Sequence, residues 1–220
     1  MSAPHPASDY HLSNYFDGNI FVINLARRPD RLAHFSEEMH RIGVTGYERF
    51  DGIDLGERFG NHGCTASHRA VLELILARGL KRAFIFEDDA TVRPQFRDTF
   101  NEELVASLRQ IPPDWDMIYL SGHYAEKPRA RMSSRVILMG EMKTTTSYGV
   151  NARSAAQLLN RIPLGSGDSI DNLYSGYNRT ANCYIVQPRL FVQYNNYSDL
   201  QRAPMNNAPC MEDTRHENMV

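Results

Sequence analysis

Three consecutive carboxylates, Glu87, Asp88 and Asp89, directly follow an apolar run at residues 83–86. A short apolar run of this kind is typical of a buried strand, so the carboxylates mark the point where the chain surfaces. Adjacent carboxylates repel one another unless a cation lies between them. Their oxygens favour Mg²⁺ or Mn²⁺, which leave part of their coordination to substrate phosphates and water. A solvated acidic turn after a strand is the alternative interpretation.

A cluster of arginines lies after an earlier strand-like run at residues 20–24. Arg27, Arg28 and Arg31 surround a proline and an aspartate that suit the first turn of a helix. Helix N-termini favour anions, and guanidinium groups match the geometry of phosphate. Taken alone, the cluster is more typical of a solvated helix face. Together with the acidic run, it favours a diphosphate bound with a divalent cation.

Several classes of function are disfavoured by what the 220 residues lack. There is no G-x-x-x-x-G-K-[ST] loop and no G-x-G-x-x-G sequence, which disfavours P-loop hydrolysis and dinucleotide redox chemistry. The 24 basic and 26 acidic residues give a net charge of −2, which argues against a nucleic-acid partner. The three cysteines stand far apart without a C-x-x-C pair, which disfavours a disulfide scaffold or a structural zinc site.

The sequence predicts that the protein is located in the cytoplasm. No run approaches the roughly 20 apolar residues that cross a bilayer, and residues 1–10 lack a signal pattern. Peripheral association with a membrane stays open as an addition to this expectation. We expect a flexible segment at 1–17, a single domain at 18–200 and a partly ordered tail at 201–220.

Strand-like and helix-like patterns alternate along the chain. Further strands are expected at 47–50, 83–86, 117–120 and 184–186, with an antiparallel pair at 136–139 and 143–150. Helices are expected from residue 29 to Gly43 and at 65–77, 96–109, 154–161 and 169–177. This order predicts an α/β fold, a Rossmann-like three-layer sandwich with a central, mostly parallel sheet. Ligands bind beyond the carboxyl ends of such strands, which places Asn24, Glu87 and Ser121 on one rim.

The basic segment at 127–135 reads as a mobile surface loop. If the protein transfers a group, this loop would close over the bound donor or bind an anionic acceptor.

Three blocks of sequence resemble glycosyltransferase family 25, in the family's order and at similar spacing. They read FVINLARRPDRL at 21–32, GCTASH at 63–68 and FEDDA at 86–90. The later TSYG at 146–149 is a weaker match, and the resemblance fades after Asp171. The family includes bacterial lipopolysaccharide and lipooligosaccharide galactosyltransferases and animal collagen galactosyltransferases.

The resemblance implies a GT-A-like fold. It also implies transfer of a hexose, with galactose or glucose favoured, from a UDP-sugar with inversion at the anomeric carbon. The acceptor would be a saccharide, a lipid-linked saccharide or a protein hydroxyl, and the cofactor Mn²⁺ or Mg²⁺. Asp89 would be the metal ligand, with Glu87 as a second one in this family's variant of the D-x-D motif. The residues implied near the donor are Asn24, Leu25, Arg27, Arg31, Ser67, His68, Glu87 and Asp88.

Direct displacement needs a base on the acceptor hydroxyl, and a carboxylate is the natural choice. Asp168 and Asp171 follow a Gly-Ser-Gly sequence, three residues apart. Asp171 is the preferred base, because Asp168 also suits a helix cap before Ser169. Two solvated carboxylates at a helix start are an equally good interpretation. His216 is a further candidate metal ligand, whereas Cys64 is rejected as a nucleophile because inverting transfer needs no covalent intermediate.

Two rival functions use the same residues. One is a metal-dependent nucleotidyltransferase or phosphohydrolase, which the reaction products would distinguish from a glycosyltransferase. The other is a non-catalytic sugar-nucleotide-binding protein of the same fold.

Overall fold

The computed structural model of the chain describes residues 6, 10–56, 60–199, 203–206, 209 and 211. His216 and most of the tail expected at 201–220 lie outside these residues. Within the described ranges, no helix is both long and apolar enough to cross a membrane. Leu12 and Phe16 are fully buried in the core, so this part of the segment expected to be flexible at 1–17 is packed against the domain.

The described residues form six α-helices and fourteen short strands. The helices are α1 Leu12–Tyr15, α2 Pro29–Arg41, α3 Gly60–Ala77, α4 Phe100–Leu108, α5 Ala152–Leu159 and α6 Ile170–Asn178. The first seven strands are β1 Ile20–Asn24, β2 Glu48–Asp51, β3 Arg82–Glu87, β4 Ala90–Val92, β5 Met117–Tyr119, β6 His123–Tyr124 and β7 Ala130–Arg131. The others are β8 Val136–Leu138, β9 Met142–Lys143, β10 Ser147–Asn151, β11 Cys183–Val186, β12 Phe191–Gln193, β13 Asn196–Ser198 and β14 Ala203–Met205.

Eight of these strands form one sheet in the order β2-β1-β3-β10-β5-β11-β8-β7. Parallel pairing joins β2, β1 and β3, and also joins β5 and β11. The strand β10 runs antiparallel to both of its neighbours, and β8 runs antiparallel to β11 and β7. Six of the eight strands therefore share one direction, and the prediction of a mostly parallel central sheet is confirmed.

The sheet is covered on both faces, as its apolar strands require. On one face Phe84 and Phe86 of β3 pack in a core cluster with side chains of α1, α2 and α4. On the other face Ile85 of the same strand packs in a second cluster with side chains of α3, α5 and α6. Alternate residues of one strand thus pack into two hydrophobic cores, one on each face of the sheet. The predicted three-layer sandwich is confirmed, because helices cover both faces.

Three chain segments converge at the carboxyl edge of the parallel strands. In the pairing of β1 with β3, Ile23 lies opposite Glu87, so the polar residues that end both strands are neighbours. The strand β10 enters the sheet at the same edge, because Ser147 lies opposite Phe86. Residues before β10 therefore reach the rim at which the acidic run ends.

The antiparallel pairing predicted between 136–139 and 143–150 is wrong. The strand β8 pairs instead with β11 and β7, and β10 lies between β3 and β5. Its residues Ser147, Tyr148, Gly149 and Val150 are all buried, which suits an interior position rather than a hairpin at the edge. The helix predicted at 96–109 begins only at Phe100, after a single 3₁₀ turn at Pro94–Phe96.

The basic segment at 127–135 lies at the opposite edge of the sheet from β1. It contains β7, and its arginines contact other parts of the protein: Arg129 donates to the carbonyl oxygen of Ala181, and Arg135 pairs with Glu103. None of its residues lines the cleft described below. The suggestion that this segment closes over a donor is not supported by its position.

Candidate active site

The turn between β1 and α2 is tied to the acidic run by the buried side chain of Asn24. Its amide nitrogen donates to Oδ2 of Asp88 (2.6 Å) and to the carbonyl oxygen of Arg28 (2.9 Å). Its oxygen accepts from Nε of Arg49 on β2 (2.9 Å). Asn24 therefore fixes the relative positions of the arginine-containing turn and the carboxylates.

Arg31 contacts two of the three carboxylates directly. Its Nη2 lies 2.5 Å from Oδ1 of Asp88 and 2.8 Å from Oδ2 of Asp89. All three side chains are largely buried, so this ion pair lies in a poorly solvated environment where charge interactions are strong. The structure thus brings together two groups that the sequence places almost 60 residues apart.

One oxygen of the acidic run is left without a partner. Oδ1 of Asp89 is buried and accepts no hydrogen bond from any described residue. Burial, partly offset by Arg31, together with the negative charges of Glu87 and Asp88, raises the pKa of Asp89 to about 7. Burial also raises the pKa of Asp88. One guanidinium therefore does not balance this group of carboxylates, and the free oxygen of Asp89 is suited to a hard divalent cation.

Glu87 is held differently from the two aspartates. Its Oε1 accepts from the hydroxyl of Thr145 (2.5 Å) and lies 3.2 Å from Nε2 of His68. Burial would raise its pKa, but His68 and Thr145 stabilise the carboxylate, so the pKa of Glu87 lies below its ordinary value. Glu87 is therefore a negative charge whose orientation is fixed by two neighbours.

His68 and Ser67 line the cleft, but their polar atoms contact the protein. Nδ1 of His68 lies 2.7 Å from the hydroxyl of Tyr148, so both ring nitrogens are engaged. The Ser67 hydroxyl donates to the carbonyl oxygen of Gly63 (2.7 Å) and accepts from the backbone N–H of Ile53 (2.8 Å). In this structure His68 orients Glu87 and Ser67 anchors the loop after β2, and direct contact with a donor stays a prediction for both.

These groups line one open cleft of about 880 Å³, its mouth included. Arg27, Arg31 and the three carboxylates lie on its polar side, and Leu25, Ile53 and Leu55 form an apolar wall. The structure brings all of the residues implied near the donor to this cleft or, for Asn24, to its supporting layer.

Asp199 is a residue of the cleft that the sequence did not point to. Its Oδ1 accepts from Nη1 of Arg27 and its Oδ2 from Nη1 of Arg28, both at 2.5 Å. Arg31 lies 3.8 Å from the same carboxylate. Thr145 was missed as well. Thr145 directly precedes the weakly matching TSYG block and Asp199 lies in a segment without a recognised motif, so only the folded chain shows that both belong to the cleft.

The two candidate bases lie in different surroundings. Asp171, in the first turn of α6, lines a second, smaller cavity that shares Cys64, Glu87, Gln193 and Ser198 with the cleft. Asp168 is exposed and lines neither cavity. The cap expected at Asp168 is wrong, because Ser169 occupies the N-cap position of α6.

Sulfur, nitrogen and carboxylate oxygen also come close together in the cleft. Ligand atoms of Cys64, His68 and Glu87 all lie within 4.8 Å of one another. However, His68 and Glu87 already satisfy each other, and burial raises the pKa of the Cys64 thiol well above its ordinary value. The unpartnered oxygen of Asp89 is the better indication of where a cation would bind.

Comparisons with known proteins support the resemblance found in the sequence. Residues 58–166 match the family model of glycosyltransferase family 25, described as an LPS biosynthesis protein family. The chain is 28% identical over 174 residues to the human inactive glycosyltransferase 25 family member 3, an alignment covering 66% of this chain and 29% of the relative. It is 25% identical over 176 residues to procollagen galactosyltransferase 1 of Danio rerio, again covering 66% of this chain and 29% of the relative.

The chain thus spans about three-tenths of the length of these curated relatives. Among solved structures, it is similar to a glycosyltransferase involved in glycosylation of the major capsid of PBCV-1. That likeness has a TM-score of 0.51 and 12% identity, over 92% of this chain and 98% of that one. At this identity the likeness shows the fold alone. The resemblance to glycosyltransferase family 25 and the GT-A-like fold class are thereby confirmed.

Proposed function

From the relationship of this chain to glycosyltransferase family 25, we propose that it is an inverting, metal-dependent hexosyltransferase. It would move galactose or glucose from a UDP-sugar to a hydroxyl of a saccharide, a lipid-linked saccharide or a protein. The observation that carries this proposal is the single cleft in which Arg31 contacts Asp88 and Asp89. Cationic and anionic groups there face one shared space.

The donor would bind along the length of the cleft. Arg27 and Arg31 offer guanidinium groups to its phosphates, which such groups bind in a bidentate manner. Leu25, Ile53 and Leu55 offer an apolar surface to the nucleobase. Leu55 is about half exposed, so a bound nucleobase could cover its side chain. Binding of the diphosphate would replace the contacts that Asp199 now makes with Arg27 and Arg28.

Asp89 would hold the divalent cation, with Glu87 as the second carboxylate. The unpartnered Oδ1 of Asp89 and the uncompensated charge around it support this assignment. When bound, Mn²⁺ or Mg²⁺ supplies Lewis-acid stabilisation to a departing diphosphate. Asp88 serves a supporting role, because its two oxygens are taken by Asn24 and Arg31.

Asp171 would act as the general base. In a single displacement, the acceptor oxygen forms a bond to the anomeric carbon while the bond from that carbon to the diphosphate breaks. The acceptor proton passes to the Asp171 carboxylate, and UDP leaves with the electron pair of the broken bond. The position of Asp171 in a cavity that adjoins the cleft supports this role.

Two rival functions make different predictions. A nucleotidyltransferase or phosphohydrolase would use the same carboxylates but would not join a hexose to an acceptor. A non-catalytic protein would bind a sugar nucleotide without turnover, and the human relative's name, which calls it inactive, makes this rival worth testing. Glu87 in place of the usual first aspartate slightly favours altered donor handling, whereas the contact of Arg31 with Asp88 and Asp89 supports the catalytic alternative.

The test is a UDP-release assay across UDP-hexoses, with and without Mn²⁺. We expect release from UDP-galactose or UDP-glucose that requires Mn²⁺ and that falls at least about 100-fold in Asp171→Asn, a typical contribution for a general base. The matched control is Asp98→Asn, an exposed residue outside the cleft. Binding of UDP-sugar without release from any donor would favour the non-catalytic rival.

A further inference from the structure

The second cavity has a lining that differs from that of the donor cleft. It encloses about 610 Å³ with its mouth and joins the cleft through shared residues, Glu87 among them. Its own walls carry the hydroxyls of Thr144, Thr145 and Ser169 and the amide of Asn61. Side chains of this type exchange hydrogen bonds with hydroxyl groups, because each can both donate and accept.

The charge of this cavity has one sign. Its charged lining residues are Glu87 and Asp171, and no lysine or arginine contributes to it in the part of the chain that the structure describes. Lys143, next to the lining in sequence, donates to Asn172. An anionic group entering here would meet two carboxylates and no lysine or arginine of the lining, and when a cation is bound to Glu87 the carboxylate of Asp171 would still repel it.

Thr144 is strained at the wall of this cavity. Its φ of 76° lies in the left-handed region, which is costly for a β-branched residue. Its hydroxyl oxygen is buried and has no hydrogen-bond partner among the described residues. Strained residues concentrate at ligand sites, and the next residue, Thr145, donates to Glu87 in the donor cleft. Both features point to a ligand that brings a hydroxyl group.

We infer that the second cavity binds the acceptor of the transfer reaction and accepts an uncharged sugar ring there, excluding sugars that carry a carboxylate or a phosphate. This inference rests on the proposed function, because an acceptor site requires a donor bound in the neighbouring cleft. The acceptor hydroxyl would then face Asp171 and the donor cleft together. The acidic lining makes charge, more than shape, the basis of selection.

The probes are methyl glycosides of neutral hexoses and of the corresponding uronic acids, in the presence of UDP and Mn²⁺. Saturation-transfer NMR titrations would measure their dissociation constants on the whole chain. We expect neutral glycosides to bind at least about tenfold more tightly than uronates, as like charges at short range require. In Asn61→Lys, a cation at the exposed rim should reduce this preference to under about threefold by strengthening uronate binding.

Asn160→Lys is the matched control, because Asn160 is exposed at the end of α5 and lies outside both cavities. It should leave the preference unchanged. The inference would be overturned if uronates bound as tightly as neutral glycosides. It would also be overturned if Asn61→Lys left the preference for neutral glycosides unchanged. UDP binding is measured in the same samples: UDP bound without either glycoside refutes the inference alone, whereas no UDP binding refutes the proposed function as well.

Discussion

The carboxylate of Asp89 lies in surroundings that oppose its negative charge. Arg31 contacts Oδ2, whereas Oδ1 is buried without a partner. Glu87 and Asp88 add repulsion, and the pKa of Asp89 is raised to about 7. A carboxylate in such surroundings reduces the stability of the folded protein, and a bound cation would offset that cost.

We predict that Asp89→Asn stabilises the metal-free protein at pH 8. Because the pKa of Asp89 is higher in the folded than in the unfolded chain, the folded state retains its proton more tightly. Stability linked to this group is present below about pH 4 and is lost as the pH rises through about 7. Asparagine does not titrate, so the rise in the pKa of Asp89 to about 7 predicts that the variant gains about 4 kcal/mol at pH 8 and little at pH 4. Urea denaturation at both pH values measures this.

The same variant should lose the stabilisation that Mn²⁺ gives the wild type. Thermal unfolding with and without Mn²⁺ checks this, with Asp98→Asn as the matched control. An Asp89→Asn variant that is less stable than wild type at pH 8, or that keeps a Mn²⁺ response, would contradict the assignment of Asp89.

Arg31 is the guanidinium that balances part of this charge. Replacing it by methionine keeps much of its volume but leaves Asp88 and Asp89 buried without that partner. We predict a loss of about 3 kcal/mol at pH 8, since breaking a buried ion pair strands a charge. The loss should be smaller at pH 5, where Asp89 is protonated in the folded protein. Urea denaturation at the two pH values measures both.

Arg78→Met is the comparison for this change. Arg78 pairs with Glu48 in a bridge whose two side chains are both more than 40% exposed, so its loss should cost far less stability than the loss of Arg31. Equal losses for the two variants would mean that the Arg31 ion pair is as solvated as an ordinary surface pair.

At the level of elements, the entry of β10 between β3 and β5 depends on Gly149. A Cβ atom there would lie 2.4 Å from ring carbons of Phe16, which is buried beneath the strand. We predict that Gly149→Ala destabilises the protein by about 3 kcal/mol, the upper range for overpacking a core. Substituting Phe16 by leucine in the same chain should restore part of that loss. Urea denaturation of the single and double variants measures the coupling.

Gly176→Ala is the matched control within the same fold. Gly176 is exposed in α6, and a Cβ atom there would have no neighbour within 4 Å. The change should stabilise the helix by about 1 kcal/mol. A Gly149→Ala variant within about 0.5 kcal/mol of wild type would show that Phe16 moves aside easily, since surface changes lie in that range.

Elements with strong periodicity were predicted well from the sequence. The apolar run at 83–86 and the helical spacing after residue 29 identify β3 and α2, because one is buried on both faces and the other on one stripe. The pairing of β10 was not predictable in this way. Both strands that flank it in the sheet lie more than 25 residues earlier in the sequence. Periodicity shows that a strand is buried but not which strands flank it.

At the level of the whole molecule, the site could be predicted only where it lies at the end of a recognisable strand. Glu87–Asp89 and Arg27–Arg31 follow β3 and β1, and parallel strands bring their ends to one edge. Thr145 and Asp199 reach the same cleft from less regular segments, and no sequence pattern relates them to it. The sequence therefore indicated the side of the cleft formed by the acidic run and the arginine-containing turn better than its remaining walls.

The central claim is that the acidic run and the arginine-containing turn bind one nucleoside diphosphate through a divalent cation. Calorimetric titration of UDP into wild type, Asp89→Asn and Asp98→Asn, each with and without Mn²⁺, tests it most directly. We predict that wild type and Asp98→Asn bind UDP at least about tenfold more tightly with Mn²⁺, a coupling of about 1.4 kcal/mol, and that Asp89→Asn shows no such gain. UDP affinity that is independent of Mn²⁺ in all three proteins, or absent from the wild type, would contradict it.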